Sequence, residues 1–188
     1  MSVKRLFDIL ISALMLCILL VPMLLIAFAI RITSPGSALY WSKRVGRDNK
    51  LFLMPKFRTM RVDTPAVATH LLDDPERHLT AIGPFLRKTS LDELPQLWCI
   101  IKGEMSLVGP RPALFNQHDL IEARTAAGVH ILTPGLTGWA QVNGRDDLEI
   151  PLKVAYDVEY LRRRSLTFDL QILLITVSKV AKATGVSH

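Results

Sequence analysis

The chain has 188 residues, a formal net charge of +6 and 49% apolar side chains, which bounds one domain, or one domain with an appendage, able to enclose a core. The positive charge points to an anionic partner. That partner is nucleic acid, a phospholipid surface or a phosphorylated small molecule; a mean hydropathy of +0.28 favours the membrane surface, and no aromatic-rich RNA-binding pattern is present.

Leu6 to Ile30 is apolar except for Asp8, Ser12 and Pro22, with Lys4 and Arg5 before it and Arg31 after it. The run is too long for a cleavable signal peptide and lacks a small-residue cleavage pattern, so it reads as a retained membrane segment. A straight helix over this run reaches ~37 Å, enough to cross a hydrocarbon core of ~30 Å. Pro22 removes a backbone hydrogen bond and bends the helix. The limbs Leu6–Val21 and Met23–Ile30 are each too short to cross alone. The residues by themselves favour spanning, with a re-entrant hairpin as the alternative. Arg31, Lys43, Arg44, Arg47 and Lys50 follow the segment, placing the remainder on the cytoplasmic side.

Ser34-Pro35-Gly36-Ser37 marks a turn. Ala38–Trp41 and Leu51–Met54 read as strands around a polar turn at Gly46–Lys50, and Arg61 to Pro75 as a loop. Ser90 to Ile101 and Ala113 to Ala127 read as helices, the second stopped by Gly128. Pro134 to Gly138 and Asn143-Gly144 are turn chemistry around a short strand, Trp139–Val142. Leu152 to Arg164 and Leu166 to Val180 are helices; the last is amphipathic, suited to the core or to a membrane interface. Cys17 and Cys99 sit in apolar stretches and imply no disulfide framework. The histidines are scattered, so no zinc site is expected.

The chemistry concentrates in residues 83 to 112, GPFLRKTSLDELPQLWCIIKGEMSLVGPRP. Arg87 and Lys88 lead to an acid pair, Asp92 and Glu93, and the run closes on Arg111 between two prolines. Ser90 to Glu93 also fits a capping box, with Glu93 answering the Ser90 N–H. Pro95 makes that helix start irregular, and the cations exceed what a cap requires. In the functional reading Asp92 is a nucleophile, kept ionised by a helix N-terminus, nearby cations and a divalent metal. Arg111, stiffened on both sides, suits bidentate phosphate recognition. Lys56 and Arg58 either snorkel at the membrane or bind phosphate. Asp157 taken alone is a solvated helix acid, and Gly144-Arg145 is a weak phosphate signal. The usual nucleotide-cradling loops are absent.

These residues closely resemble the monotopic phosphoglycosyl transferases, the bacterial sugar transferase family. The matching elements are Lys4-Arg5-Leu6-Phe7-Asp8, Lys56-Phe57-Arg58-Thr59-Met60, the run from 83 to 112, Pro134 through Arg145, and Asp157. The resemblance implies an α+β, mainly helical fold with small strand elements and amphipathic interfacial helices. Residues 1–33 would form a re-entrant membrane helix broken at Val21 and Pro22, and residues 34–188 a catalytic domain on the cytoplasmic face of a bacterial inner membrane. It implies transfer of a sugar 1-phosphate from a UDP-sugar to polyprenol (undecaprenyl) phosphate, releasing UMP and initiating membrane-linked glycan synthesis. Asp92 would form a phosphosugar-aspartyl intermediate. Asp92 and Glu93 would lie at Mg2+, Glu93 serving the metal or a proton. Lys56, Arg111, Arg87 and Arg145 would bind phosphate, and Asp157 is a further functional position. Lys4, Arg5 and Asp8 would anchor the helix to membrane lipids at the interface, Asp8 pairing with Arg5. The chain departs from the family at Val21, where serine usually precedes the proline, at Cys99 (commonly asparagine) and at Glu104 (commonly aspartate).

Overall fold

The computed structural model describes residues 2–65, 74–144 and 148–181. The apolar run forms helix α1 (Val3–Thr33), started by Ser2, whose hydroxyl accepts from the Arg5 N–H at 3.2 Å. The expected break at Val21 and Pro22 is not an end of the helix, because α1 continues through both residues. Proline there takes out one backbone bond and leaves the rest of the ladder in place.

Strands β1 (Leu39–Val45) and β2 (Leu51–Phe57) make an antiparallel hairpin that sets Tyr40 opposite Lys56. A 3-10 turn at Arg47–Asn49 joins them, with Asp48 and Asn49 at φ 54° and 57°, a region these short polar side chains tolerate. After a 3-10 turn at Pro75–His78 comes helix α2 (Gly83–Lys88).

The single helix expected from Ser90 is two elements: a 3-10 turn at Leu91–Gln96 and helix α3 (Leu97–Lys102). Pro95 has no N–H for an α-helical bond, so the first turn tightens. The helix expected from Ala113 begins later, as α4 (His118–Ala126), and Gly128 at φ +74° ends it as anticipated. Strand β3 (Ser106–Val108) pairs in parallel with β4 (Gly135–Thr137). The strand expected at Trp139–Val142 is instead helix α5 (Trp139–Asn143). The extended segment lies just before it, where glycine is required. A Cβ on Gly135 would lie 2.1 Å from the Gly109 nitrogen, and one on Gly138 2.1 Å from the Gly109 oxygen. Helices α6 (Ile150–Arg163) and α7 (Leu166–Ala181) complete the described chain.

Two apolar clusters form. The larger gathers Leu97, Ile100, Met105, Leu107, Tyr160 and Ile172, and receives Phe7, Ile11, Met15 and Leu16 from the first half of α1. The smaller, Ile30, Phe57 and Leu86, receives Met23, Ile26 and Ala27 from the second half. One side of the apolar segment thus packs on both clusters, while Leu10, Leu14, Ile18, Leu24, Leu25 and Phe28 stay exposed. Helix α7 buries Phe168, Asp169 and Ile172 and leaves Leu170, Leu174 and Val177 exposed, so it is amphipathic in place as well as in sequence.

Candidate active site

The acid pair sits on the 3-10 turn between α2 and α3, against strand β2. That packing brings Lys56 of β2 to Glu93, and Arg111 arrives from the segment after β3. Lys56 Nζ and Arg111 Nη2 both donate to Glu93 Oε1 at 2.9 Å. Glu93 therefore does not close a capping box. Ser90 lies at φ 56° with no side-chain cap, and the Glu93 carboxylate serves two cations instead. Burial opposes ionisation of Glu93, but the charges and hydrogen bonds of Arg111 and Lys56 outweigh it and hold its carboxyl well below the usual range. Such a group accepts hydrogen bonds and does not carry a proton at neutral pH.

Asp92 is different. It is 8% exposed, and no hydrogen bond to its carboxylate forms among the described residues. Burial pushes its carboxyl up to about 6, with Glu93 adding to the rise and Lys56, Arg111 and Arg87 opposing it. From sequence, a helix N-terminus, nearby cations and a divalent metal together keep Asp92 ionised. In the fold the nearest cations bond Glu93, and desolvation prevails.

A divalent cation would reverse that balance. No group of three or more His, Cys, Asp or Glu side chains able to hold a metal occurs among the described residues. Magnesium suits such a setting, because it binds through one or two carboxylates and completes its shell with substrate phosphates and water. Asp92, buried and with no donor among the described residues, fits that role; Glu93, committed to Lys56 and Arg111, fits it less well.

Asp157 is not a solvated acid. It is 1% exposed and accepts from Arg124 Nε at 2.9 Å, with Arg124 Nη2 at 2.7 Å. Burial raises its carboxyl while Arg124 opposes the rise. Arg124 also donates from Nη1 to the Arg111 carbonyl at 2.8 Å. Asp157 thus reaches the acid pair through Arg124 and Arg111.

The residues expected to anchor the membrane helix have protein partners. Arg5 donates to the carbonyls of Ile100 and Ile101 at the end of α3, where a cation complements the helix dipole. Lys4 Nζ lies 2.6 Å from Asp169 Oδ2 and 3.2 Å from the Val108 oxygen. Asp8 does not pair with Arg5. It is buried, accepts from Ser106 Oγ at 2.8 Å and the Leu107 N–H at 3.3 Å, and lies 3.9 Å from Lys4. Arg58 holds the carbonyls of Ser34 and Pro35 after α1 and is buried. Arg87 stands half-buried at the end of α2 and lowers the Asp92 carboxyl. Arg145 lies outside the described residues.

The family model described as bacterial sugar transferase matches residues 1–183. The chain belongs to the bacterial sugar transferase family. Among curated family relatives, it is 40% identical to a UDP-galactose-lipid carrier transferase of Erwinia amylovora, over 97% of this chain and 41% of that protein. It is 40% identical to an uncharacterized sugar transferase of Bacillus subtilis over 100% of this chain and 92% of that one. It is 39% identical to a UDP-glucose:undecaprenyl-phosphate glucose-1-phosphate transferase of Escherichia coli, over 94% of this chain and 39% of that protein. The chain therefore spans about two fifths of the Erwinia and Escherichia sugar transferases.

Four partners in this family member carried little sequence signal. Arg124 is one basic residue on a polar helix, and Tyr160 one aromatic on an amphipathic helix. Ser106 is a lone hydroxyl in a strand. Asp169 alone could have been suspected, as the single acid in the apolar helix α7.

Proposed function

We propose that the chain transfers a sugar 1-phosphate from a UDP-sugar to undecaprenyl phosphate, releasing UMP through a covalent intermediate on Asp92. The observation that carries this reading is the division of labour in the acid pair. Glu93 orients Lys56 and Arg111, while the neighbouring carboxylate receives no hydrogen bond among the described residues. An Asp92 oxygen attacks the β-phosphorus of the UDP-sugar. The bond from that phosphorus to the bridging oxygen breaks, and UMP departs with the electron pair. A phosphate oxygen of undecaprenyl phosphate then attacks the same phosphorus, and cleavage of its bond to Asp92 restores the carboxylate. Lys56 and Arg111, both held by Glu93, would meet the phosphate charge, Arg111 through its planar guanidinium. Bound Mg2+ would neutralise the diphosphate, held by Asp92 and substrate oxygens.

The relatives named for UDP-galactose, UDP-glucose and undecaprenyl phosphate support the substrate classes. The exposed apolar face of α7 and the exposed Phe85 and Trp98 beside the acid turn support seating on a membrane surface. Intact mass after exposure to UDP-glucose or UDP-galactose alone tests the covalent step. The wild type should gain one phosphosugar and Asp92→Asn should gain none. Turnover by a wild type that never acquires the adduct under trapping conditions would instead mean direct attack by undecaprenyl phosphate.

A further inference from the structure

The segment from Val108 to Ala113 carries Arg111 and is fastened through five of its six carbonyls. Val108 O accepts from Tyr160 Oη at 3.1 Å and Lys4 Nζ at 3.2 Å. Pro110 O accepts from the Gly135 N–H at 2.9 Å, Pro112 O from Arg44 Nη1 at 3.1 Å, and Ala113 O from the Val45 N–H at 2.9 Å. The peptide joining Arg111 to Pro112 has no N–H, so its carbonyl is the only group by which the backbone can hold it. That carbonyl is held by Arg124. Arg124 is 8% exposed and its guanidinium is fixed from the other side by Asp157.

We propose that Arg124 is a positioning residue for Arg111, and that Asp157 acts through Arg124 and not on substrate. The Asp157–Arg124 pair sets the plane of the 111–112 peptide, and with it the direction in which the Arg111 side chain leaves the backbone. The proposal rests on the reading of Arg111 as a phosphate-binding residue. A rigid fork depends on its root in a way that a flexible point charge does not.

That difference supplies the test, a double-mutant cycle on UMP release with UDP-glucose, UDP-galactose and undecaprenyl phosphate. Arg124→Lys keeps the charge but cannot bond Asp157 and the carbonyl in one plane. It should lower kcat/KM for the donor by about 10- to 100-fold, the scale of a misplacement near 1 Å. In an Arg111→Lys background the same change should lower it less than about threefold, because the sensitive fork is already gone. Equal losses in both backgrounds would mean that Arg124 only supports the fold, and would overturn the proposal. No loss from Arg124→Lys in the native background would also overturn it. If Arg111→Lys itself leaves the donor KM unchanged, the phosphate-binding reading falls first and takes the positioning role with it. Should Arg124→Lys lose its cooperative thermal transition, Asp157→Asn, which keeps shape and removes charge, enters the same cycle with the same expectations.

Discussion

Asp92 and Glu93 are adjacent acids with opposite electrostatic fates, and the fold explains why. Glu93 is half-buried with two cations bonded to one oxygen, so ionisation is favoured despite desolvation. Asp92 is buried beside that carboxylate and ionises only near pH 6. A carboxyl raised from 3.8 to about 6 binds its proton more tightly in the folded state than in the unfolded chain. Between those values the folded state holds more protons, so stability falls as pH rises. The penalty is absent below about pH 4 and complete above about pH 6, where two pKa units amount to about 3 kcal/mol. Asp92→Asn should therefore abolish UMP release yet stabilise the protein by about 3 kcal/mol at pH 7.5, with no gain at pH 4. Denaturant titrations at the two pH values read this directly. A gain that does not depend on pH would show that the charge is not its source.

At the scale of elements, the first turn of α1 is wired to the rest of the protein. Lys4 bridges Asp169 of α7 and the carbonyl of Val108, Tyr160 of α6 donates to the other Asp169 oxygen at 2.8 Å, and Arg5 ends α3. Asp169 is 1% exposed and serves two donors from two elements. Asp169→Asn keeps its shape but loses the charge-assisted bond to Lys4, which should cost about 2 kcal/mol. Thermal denaturation in detergent should show that loss, and Lys4→Met should produce much of it. If Asp169→Asn loses nothing, the cluster is not holding α1 in place. Little of this wiring was legible in advance. The apolar run, the hairpin, the amphipathic α7 and the acid pair could be read from periodicity and spacing, because these features are local. The Lys56–Glu93–Arg111 grouping was legible only as charge nearby in sequence or as a family likeness. Its geometry needs β2 packed on the acid turn. Pairs such as Arg124 with Asp157, 33 positions apart, leave no periodic trace. The strand misplaced onto Trp139 failed for a tertiary reason. The Trp139 ring packs tilted against Phe168 with centroids 5.1 Å apart and donates from Nε1 to Glu159 at 2.8 Å, while the glycines before it must lie against the Gly109 backbone.

For the whole molecule, the arrangement of α1 bears on how the protein meets a membrane. By length and composition α1 is able to cross ~30 Å of hydrocarbon, which takes about 20 apolar residues, but its two halves are both held by the protein body. Here Leu16 still packs on the larger cluster and Met23 already packs on the smaller one. The interval between them, residues 17–22, covers only ~9 Å at 1.5 Å per residue. Both ends of α1 are fastened to one body, through Lys4 and Arg5 at the start and Ile30 at the end. This supports a helix that enters and leaves one face of the bilayer over one that crosses it. The expected outcome is that a cysteine replacing Ser2 stays unlabelled by a membrane-impermeant maleimide applied from the periplasm, and reacts once the inner membrane is opened. The background needs Cys17→Ser, since Cys17 is exposed on α1, whereas Cys99 is buried with its thiol pushed up to about 12 and should stay silent. Labelling of position 2 in intact cells would place the N-terminus outside. The Lys4–Asp169 bond could not then form across the bilayer, and the spanning arrangement would replace the one argued here.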